Sequence, residues 1–67
     1  MITIGLNGKP RELVGTLGVI ELLETLSADP KQVAVAINGE VVPRSSWSGV
    51  SIKDGDVVEV VRAVGGG

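Results

Sequence analysis

Three consecutive glycines, Gly65, Gly66 and Gly67, stand at the end of the sequence, directly behind the apolar run 57–62. Glycine has no Cβ and adopts backbone angles that are closed to other residues, so such a segment can thread a narrow channel. The chemistry this permits is a reaction of the Gly67 α-carboxylate in the active site of another protein. Glycine-rich ends are also typical of ordinary chain fraying, and the three glycines alone favour that simpler interpretation.

The composition excludes most forms of intrinsic catalysis. The 67 residues include no cysteine and no histidine, which removes disulfides, thiolate metal sites, thiol nucleophiles and the imidazole base. A domain of this length is near the lower limit for a stable core and is too small to enclose a substrate pocket of normal volume. We therefore expect a protein that is not an enzyme and that binds no metal or cofactor itself.

Charge and hydropathy restrict the partners and the location. The net charge is −2, and the six basic residues are scattered along the chain, whereas a nucleic-acid surface needs clustered Lys and Arg. The apolar runs are a few residues long, far short of a membrane span, and the first residues lack the pattern of a signal peptide. A cytoplasmic protein without nucleic-acid or membrane partners is expected.

The first segment is predicted to be a β-hairpin. Apolar residues alternate along 2–6 with the period of a half-buried strand, and Asn7-Gly8 is typical of a tight turn with positive φ. The run 11–14 can return as the second strand, with Pro10 at its start, where a missing N–H is tolerated.

An amphipathic helix is predicted for residues 17–26. Thr16 is the expected N-cap, and the residue before Pro30 disfavours the helical region and ends the segment. At about 100° per residue, one broad apolar arc forms. Its members are Val19, Ile20, Leu22, Leu23 and Leu26.

Three strands are predicted in the second half of the chain. The run 33–37 is apolar on both faces, as in the middle of a sheet, and a second tight turn leads to a short strand over 40–42. After an irregular segment and a turn over 53–56, the last strand covers 57–62. The sole aromatic residue, Trp47, is expected to anchor the core or its rim.

This order of elements predicts an α+β fold. One helix crosses a mixed sheet of four to five strands in ββαββ order, with the first and last strands parallel and adjacent and a right-handed crossover between them. That is the β-grasp arrangement. We expect a single domain over residues 1–67, with 63–67 as a flexible C-terminal tail that projects from the last strand.

Several motifs occur together in a fixed order: residues 36–44, then Trp47, then the turn 54–56 and the final Gly66-Gly67. In these motifs the chain resembles the ThiS-type sulfur carriers of thiamine biosynthesis, which share the β-grasp fold with ubiquitin and with the small subunit of molybdopterin synthase. The similarity extends over nearly the whole chain and is weaker in the helix. Relatives often carry an aromatic residue in the first or last strand, where this chain has aliphatic residues.

The resemblance implies a function for the last residues. An adenylating (E1-like) activating enzyme would use ATP to adenylate the Gly67 carboxylate. A sulfur donor such as a cysteine desulfurase would then supply the sulfur of a thiocarboxylate, which thiazole synthase would consume. A side chain at Gly66 would hinder attack at the terminal carbonyl. Fully extended, residues 63–67 span at most about 18 Å, which is enough to enter a buried catalytic centre.

Partner-binding residues are expected around the tail. Val57 and Val61 face away from the helix and predict a partly apolar patch beside Gly65. Arg44 can pair with a carboxylate of a partner or of this chain, and the intramolecular or solvated state is favoured. The turns at 38–39 and 54–56 are expected to be structural only.

Two alternatives stay open. The chain can serve another sulfur pathway, as a molybdopterin synthase small subunit or as a carrier for cysteine or tRNA thiolation. It can also be a β-grasp interaction module with an unreactive end. The run from Asn38 to Arg44 followed by Trp47 favours the thiamine branch.

Overall fold

A computed structural model of the chain describes residues 1–62. The predicted tail 63–67, and with it Gly65, Gly66 and Gly67, lies outside the described residues. Two short 3₁₀ segments, Pro30–Gln32 and Arg44–Gly49, connect the regular elements. In chain order, those elements are β1 (Ile2–Leu6), β2 (Lys9–Leu13), β3 (Leu17–Gly18), α1 (Val19–Thr25), β4 (Val33–Ile37), β5 (Glu40–Val42), β6 (Ser51–Ile52) and β7 (Val57–Arg62).

Five of the strands form one mixed sheet in the order β2-β1-β7-β4-β5. The first and last strands are parallel neighbours, and the other pairs are antiparallel. This confirms the predicted α+β class and the adjacency of the two terminal strands. The last strand therefore lies at the centre of the sheet, with β1 on one side and β4 on the other.

The N-terminal hairpin forms as predicted, although its second strand has different bounds. Asn7 and Gly8 have φ values of 51° and 84°, the left-handed pair that a two-residue hairpin turn needs. The second strand begins at Lys9 and ends at Leu13, because tight pairing resumes directly after the turn. Val14 falls outside it and is 93% exposed.

The predicted start of the helix is wrong. Leu17 and Gly18 form β3, which pairs with β6, and the helix begins at Val19 with Gly18 as its N-cap. The Gly18 N–H donates to Glu21 Oε1 at 2.8 Å, so a carboxylate in the first turn caps the helix in place of Thr16. Pairing with β6 holds Leu17 extended, and this tertiary contact overrides the local helical pattern.

The helix ends earlier than predicted, and its end does not depend on the proline. Ser27 has a φ of 56°, and the Ala28 N–H donates to the Leu23 carbonyl at 2.9 Å while the Ser27 N–H donates to Glu24 at 3.1 Å. This is the left-handed Schellman arrangement, which satisfies the last helical carbonyls. The last regular helical residue is therefore Thr25.

The core lies between α1 and one face of the sheet. Val58 on β7 is fully buried, as predicted, and Trp47 is 4% exposed, which confirms its expected position in the core. Ile20 was predicted to face inward but is 42% exposed, because the shortened helix presents a narrower apolar stripe. The buried residues are Ile4, Leu13, Val19, Leu22, Leu23, Val35, Trp47, Ile52 and Val58.

The turn before β7 provides the first testable prediction. Gly55 has a φ of 86°, and a Cβ added there would meet nothing within 4 Å, so Gly55→Ala tests backbone conformation without a steric clash. We expect a loss of about 1–2 kcal/mol in the free energy of unfolding, the cost of a left-handed residue with a side chain. Urea denaturation followed by Trp47 fluorescence measures it.

Gly49→Ala is the matched control for this substitution. Gly49 has the same open surroundings, with no atom within 4 Å of an added Cβ and no positive φ. Alanine there is expected to be neutral or slightly stabilising. Equal losses at Gly49 and Gly55 would contradict the conformational explanation.

Candidate functional site

The central strand β7 is the element that precedes the end of the chain. Its beginning pairs with β1 through Gly5 opposite Val57 and Leu6 opposite Val58, and its far end pairs with β4 up to Arg62 opposite Val33. A strand held on both sides is a rigid support for whatever follows it. Arg62, the last residue that the structure describes, is therefore held in the sheet by β4.

Asn7 fixes β7 beyond the end of β1. Its Oδ1 accepts from the Val60 N–H at 2.8 Å, and its Nδ2 donates to the Val60 carbonyl at 3.1 Å. A carboxamide carries both a donor and acceptors, so one side chain replaces the backbone pairing that a longer β1 would have given. Asn7 therefore ties the N-terminal turn to a residue that is two positions before Arg62.

Asn38 performs a similar task at the start of β7. Its Oδ1 accepts from the Val57 N–H at 2.9 Å, its Nδ2 donates to Asp56 Oδ1 at 3.1 Å, and its own N–H donates to the Val57 carbonyl at 2.7 Å. The other carboxylate oxygen of Asp56 accepts from the Lys53 N–H at 2.9 Å. Both ends of β7 are thus secured by Asn-Gly turns from neighbouring hairpins.

The bracing of β7 by both asparagines goes beyond the purely turn-forming role that the sequence predicts for residues 38–39. One signal of this role in the sequence is that asparagine precedes glycine at both turns. Aspartate would suit the turn equally well, but only the amide of asparagine both donates and accepts hydrogen bonds. The partners of Asn7 are 53 residues away, so no local pattern could identify them.

One face of the sheet is not covered by the helix and is largely apolar. Val57 and Val61 are 55% and 57% exposed, and Val41 on β5 is 76% exposed. Alternation along β7 places Glu59 on this face between the two valines. The register adds Ala34, opposite Val61. We call this surface the open face, defined by Ala34, Ala36, Val41, Val57, Glu59 and Val61. The structure thus places the predicted Val57 and Val61 on the same face of the sheet, with Glu59 between them.

Arg44 lies apart from the open face. Its Nη2 donates to the Pro30 carbonyl at 3.0 Å, and its guanidinium carbon is 5.8 Å from the centroid of the Trp47 ring. These contacts place it beside the 3₁₀ segment that follows the helix, with its charge over an aromatic face. These contacts agree with the prediction that Arg44 is paired within this chain or solvated. The acceptor is the Pro30 carbonyl and not a carboxylate.

Residues 1–62 contain neither a cluster of metal-ligating side chains nor a helix that could cross a membrane. No group of three or more His, Cys, Asp or Glu side chains in this part of the chain could hold a metal ion. Of the helices in the same range, none is long and apolar enough to cross a membrane. The feature left for functional interpretation is the end of β7 with the open face beside it.

The arrangement of these elements defines the class of the protein. A mixed five-stranded sheet packs on one helix, and its central C-terminal strand is parallel to the first strand, which is the β-grasp fold. Residues 4–67 match the model of the ThiS family. The chain belongs to the ThiS family.

Individual relatives agree with this assignment. The sulfur carrier protein ThiS of Thermus thermophilus is 41% identical over 64 residues, which cover 96% of this chain and 98% of that protein. The crystal structure of the thiamine biosynthesis protein (ThiS) from Geobacter metallireducens superposes with a TM-score of 0.86 at 40% identity. That match covers 98% of this chain and 100% of the other.

A longer protein also contains a similar segment. The thiazole synthase of Paramagnetospirillum magneticum is 42% identical over 62 residues, which are 92% of this chain and 19% of that protein. The chain thus spans about a fifth of the length of this relative.

Proposed function

We propose that this chain is a sulfur carrier protein of thiamine biosynthesis that acts through a thiocarboxylate at Gly67. The observation that carries the proposal is the family match, which runs from residue 4 to the last glycine. The central position of β7 supports it, because this strand, which β1 and β4 hold on its two sides, leads directly to the residues that carry the proposed reaction. Gly66 keeps the approach to the reacting carbonyl open.

The chemistry follows from the poor reactivity of a carboxylate. The Gly67 carboxylate oxygen attacks the α-phosphorus of ATP, pyrophosphate leaves, and an acyl-adenylate forms. The terminal sulfur of a persulfide on the donor protein then attacks the acyl carbon, and AMP departs as a far better leaving group than oxide, which leaves an acyl disulfide between Gly67 and the donor cysteine. A thiol attacks the donor-cysteine sulfur of this S–S bond and forms a disulfide with it, so the thiocarboxylate at Gly67 is released. These steps need a nucleotide site and a sulfur donor, so we assign them to partner enzymes, and the carrier itself is not the catalyst.

Three partners are proposed from this scheme: an adenylating activating enzyme, a sulfur donor such as a cysteine desulfurase, and thiazole synthase. The thiazole synthase that contains a segment similar to nearly the whole of this chain supports the third, because two activities fused in one polypeptide act in physical proximity. We place the carrier in the cytoplasm, where ATP for the first step is available.

Intact-mass measurement tests the proposal. The chain is incubated with the activating enzyme, ATP, a cysteine desulfurase with cysteine, and a thiol reductant, and the expected product has one oxygen replaced by sulfur. Omission of ATP is the control and should leave the mass unchanged. An unchanged mass with all components present, in a reaction where a known ThiS carrier is converted, would contradict the proposal.

The open face is the proposed docking surface, and Val61→Asp tests it. Val61 is 57% exposed, so the substitution should leave the free energy of unfolding within about 0.5 kcal/mol. A buried charge in an apolar interface should weaken binding to the activating enzyme at least about tenfold, equivalent to about 1.4 kcal/mol. Titration by isothermal calorimetry measures the dissociation constant.

Val14→Asp is the matched control for the docking experiment. Val14 is 93% exposed and lies outside the sheet, so the same change of charge occurs away from the open face. Its dissociation constant should equal that of the unmodified chain. If both variants bind equally well, the open face is not the docking surface.

A further inference from the structure

The open face carries a single charge in an apolar surround. Glu59 is exposed, and along β7 it lies between Val57 and Val61 on the same face of the sheet. Across the sheet it lies opposite Ala36 on β4, which is itself opposite Val41 on β5. All four of these neighbours are apolar. A partner that covers the open face must therefore also cover the Glu59 carboxylate.

An open hollow of about 110 Å³ adjoins this carboxylate. Its floor contains Ala34 and Ala36 of β4, and its walls are Val41 on one side and Glu59 with Val61 on the other. Side chains on one face of neighbouring strands stand side by side, so two alanines between longer side chains leave a channel along β4. We call this hollow the trough. Its floor is apolar, and one wall contains a carboxylate.

Covering Glu59 has an energetic consequence for the interface. A carboxylate that is removed from water without a partner is strongly unfavourable, whereas a close pair with a cation fixes the register of the two surfaces and excludes wrong partners. If Glu59 were covered and unpaired, neutralising it would tighten binding. If it is paired with a cation of the partner, neutralising it weakens binding.

An arginine side chain suits both the floor and the wall of the trough. Its aliphatic stem packs on apolar surface while its charged head reaches a polar group, and its planar guanidinium can form two parallel hydrogen bonds with one carboxylate. The ammonium of lysine is a more strongly hydrated point charge. A stem that lies on Ala34 and Ala36 would bring the guanidinium to Glu59.

A second copy of the chain is a poor occupant of the trough. In a two-fold pairing, the same patch of each copy contacts that of the other. Glu59 is the one charged member of the open face, so two open faces would bring two carboxylates together and supply no cation. The occupant must therefore come from a different protein.

We propose that the adenylating activating enzyme inserts an arginine side chain into the trough and pairs its guanidinium with Glu59. The inference rests on the proposed function, which assigns the open face to that enzyme, and it adds the chemistry of the contact. The matching surface is apolar and carries one cation at a fixed position. Glu59 then determines specificity, because an apolar surface without this cation would leave the carboxylate buried and unpaired.

Neutralising the carboxylate tests the pairing by isothermal calorimetry with the activating enzyme. Glu59→Gln keeps the size of the side chain and removes its charge, and it should bind at least about tenfold more weakly than the unmodified chain. Glu24 is exposed on α1, away from the open face, so Glu24→Gln is the matched control and should bind like the unmodified chain. Equal or tighter binding by Glu59→Gln would overturn the proposal.

High salt separates a covered pair from a charge that only steers association. At about 1 M salt the screening length is about 3 Å, and a covered pair is screened much less than an exposed one. The weaker binding of Glu59→Gln should therefore remain at least about threefold under these conditions. A difference that disappears at high salt would contradict pairing in the trough.

Filling the trough tests where the arginine stem lies. Ala34 is exposed, and Ala34→Leu adds apolar surface while it occupies the floor, so binding should weaken at least about tenfold. Gly15→Leu is the control, because a Cβ there meets nothing within 4 Å and its φ is not positive. Unchanged or tighter binding by Ala34→Leu would show that the face is recognised by apolar area alone. Thermal unfolding of each variant checks that it folds.

Charge reversal identifies the cation. Glu59→Lys should bind the activating enzyme at least about 100-fold more weakly, because two cations would then meet. The surface arginines and lysines of the enzyme are replaced singly by glutamate, and one arginine replacement should restore the binding of Glu59→Lys. Restoration by a lysine replacement alone, or by none, would overturn the assignment of an arginine.

The loading reaction distinguishes this inference from the proposed function. Failure of the unmodified chain to form a thiocarboxylate contradicts the carrier function itself. Normal loading together with undiminished binding by Glu59→Gln contradicts the arginine contact alone.

Discussion

Replacing Gly66 with valine is expected to lower the rate of Gly67 adenylation by about 100-fold, because a misplaced acyl group in a close-fitting channel loses its reactive alignment. Position 66 adjoins the reacting carbonyl, and a β-branched side chain there restricts the backbone and fills the approach path. The free energy of unfolding should not change. ATP–pyrophosphate exchange catalysed by the activating enzyme measures the effect.

Gly15→Val is the control for this substitution. A Cβ at Gly15 would meet nothing within 4 Å, and its φ is not positive, so the same side chain is accommodated away from the reacting end. Its adenylation rate should be that of the unmodified chain. Equal rates for the two valine variants would show that the glycine at 66 has no steric role.

Deletion of Gly66 and Gly67 separates a carrier from an interaction module. A carrier without them should fail to restore growth without thiamine in a strain that lacks this chain, even though the sheet and the open face are unchanged. Full restoration would favour the unreactive β-grasp module and would contradict the proposed reaction.

Much of the fold was predictable because its signals are local. The alternation over 2–6, the two Asn-Gly pairs and the run 57–62 each specify one element through short-range preferences. The position of Trp47 in the core also followed, since a sole large aromatic residue is rarely left in solvent.

The elements that were missed depend on contacts distant in sequence. Strands β3 and β6 have two residues each, which is too short to show the alternation of apolar and polar residues that is typical of a strand. Each forms because it pairs with the other. The helix is capped at Gly18 because the Glu21 carboxylate accepts from the Gly18 N–H. The cap lies at this position because Leu17 pairs with β6 and is therefore not part of the helix. Tertiary contacts of this kind override local propensity.

The candidate site also has one part that local patterns predict and one part that depends on contacts distant in sequence. Alternation along β7 correctly placed Val57 and Val61 on the face away from the helix. Val41 and Ala34 lie on the same face because β4 pairs with β5 and with β7, and local patterns do not predict these pairings. The bracing of Val60 by Asn7 spans 53 residues and was beyond any local pattern.

These contacts connect stability with function through one strand. On one face of β7, Val58 is fully buried in the core and Val60 is half-buried, and the opposite face provides the proposed docking surface. Because β7 leads directly to the reacting end, loss of core packing should also loosen the support from which that end is presented. The core residues of this small domain are therefore functional constraints as well as structural ones.

Trp47→Ala is expected to reduce the free energy of unfolding by about 3–5 kcal/mol, the usual loss for a buried tryptophan. Trp47 is 4% exposed, and its Nε1–H donates to the Val42 carbonyl at 2.8 Å. A domain of this length has a total stability of about 3–10 kcal/mol, so the variant should be largely unfolded or close to it. Urea denaturation followed by circular dichroism measures the change, because the fluorescent residue is removed.

Trp47→Phe separates packing from hydrogen bonding. Phenylalanine keeps most of the buried ring but cannot donate to Val42, so we expect a smaller loss of about 1–2 kcal/mol. This variant should still fold and accept sulfur at Gly67, whereas Trp47→Ala should be loaded only in proportion to its folded fraction. Equal denaturation midpoints for the alanine variant and the unmodified chain would show that the ring does not support the core, and the link between β7 and core packing would then fail.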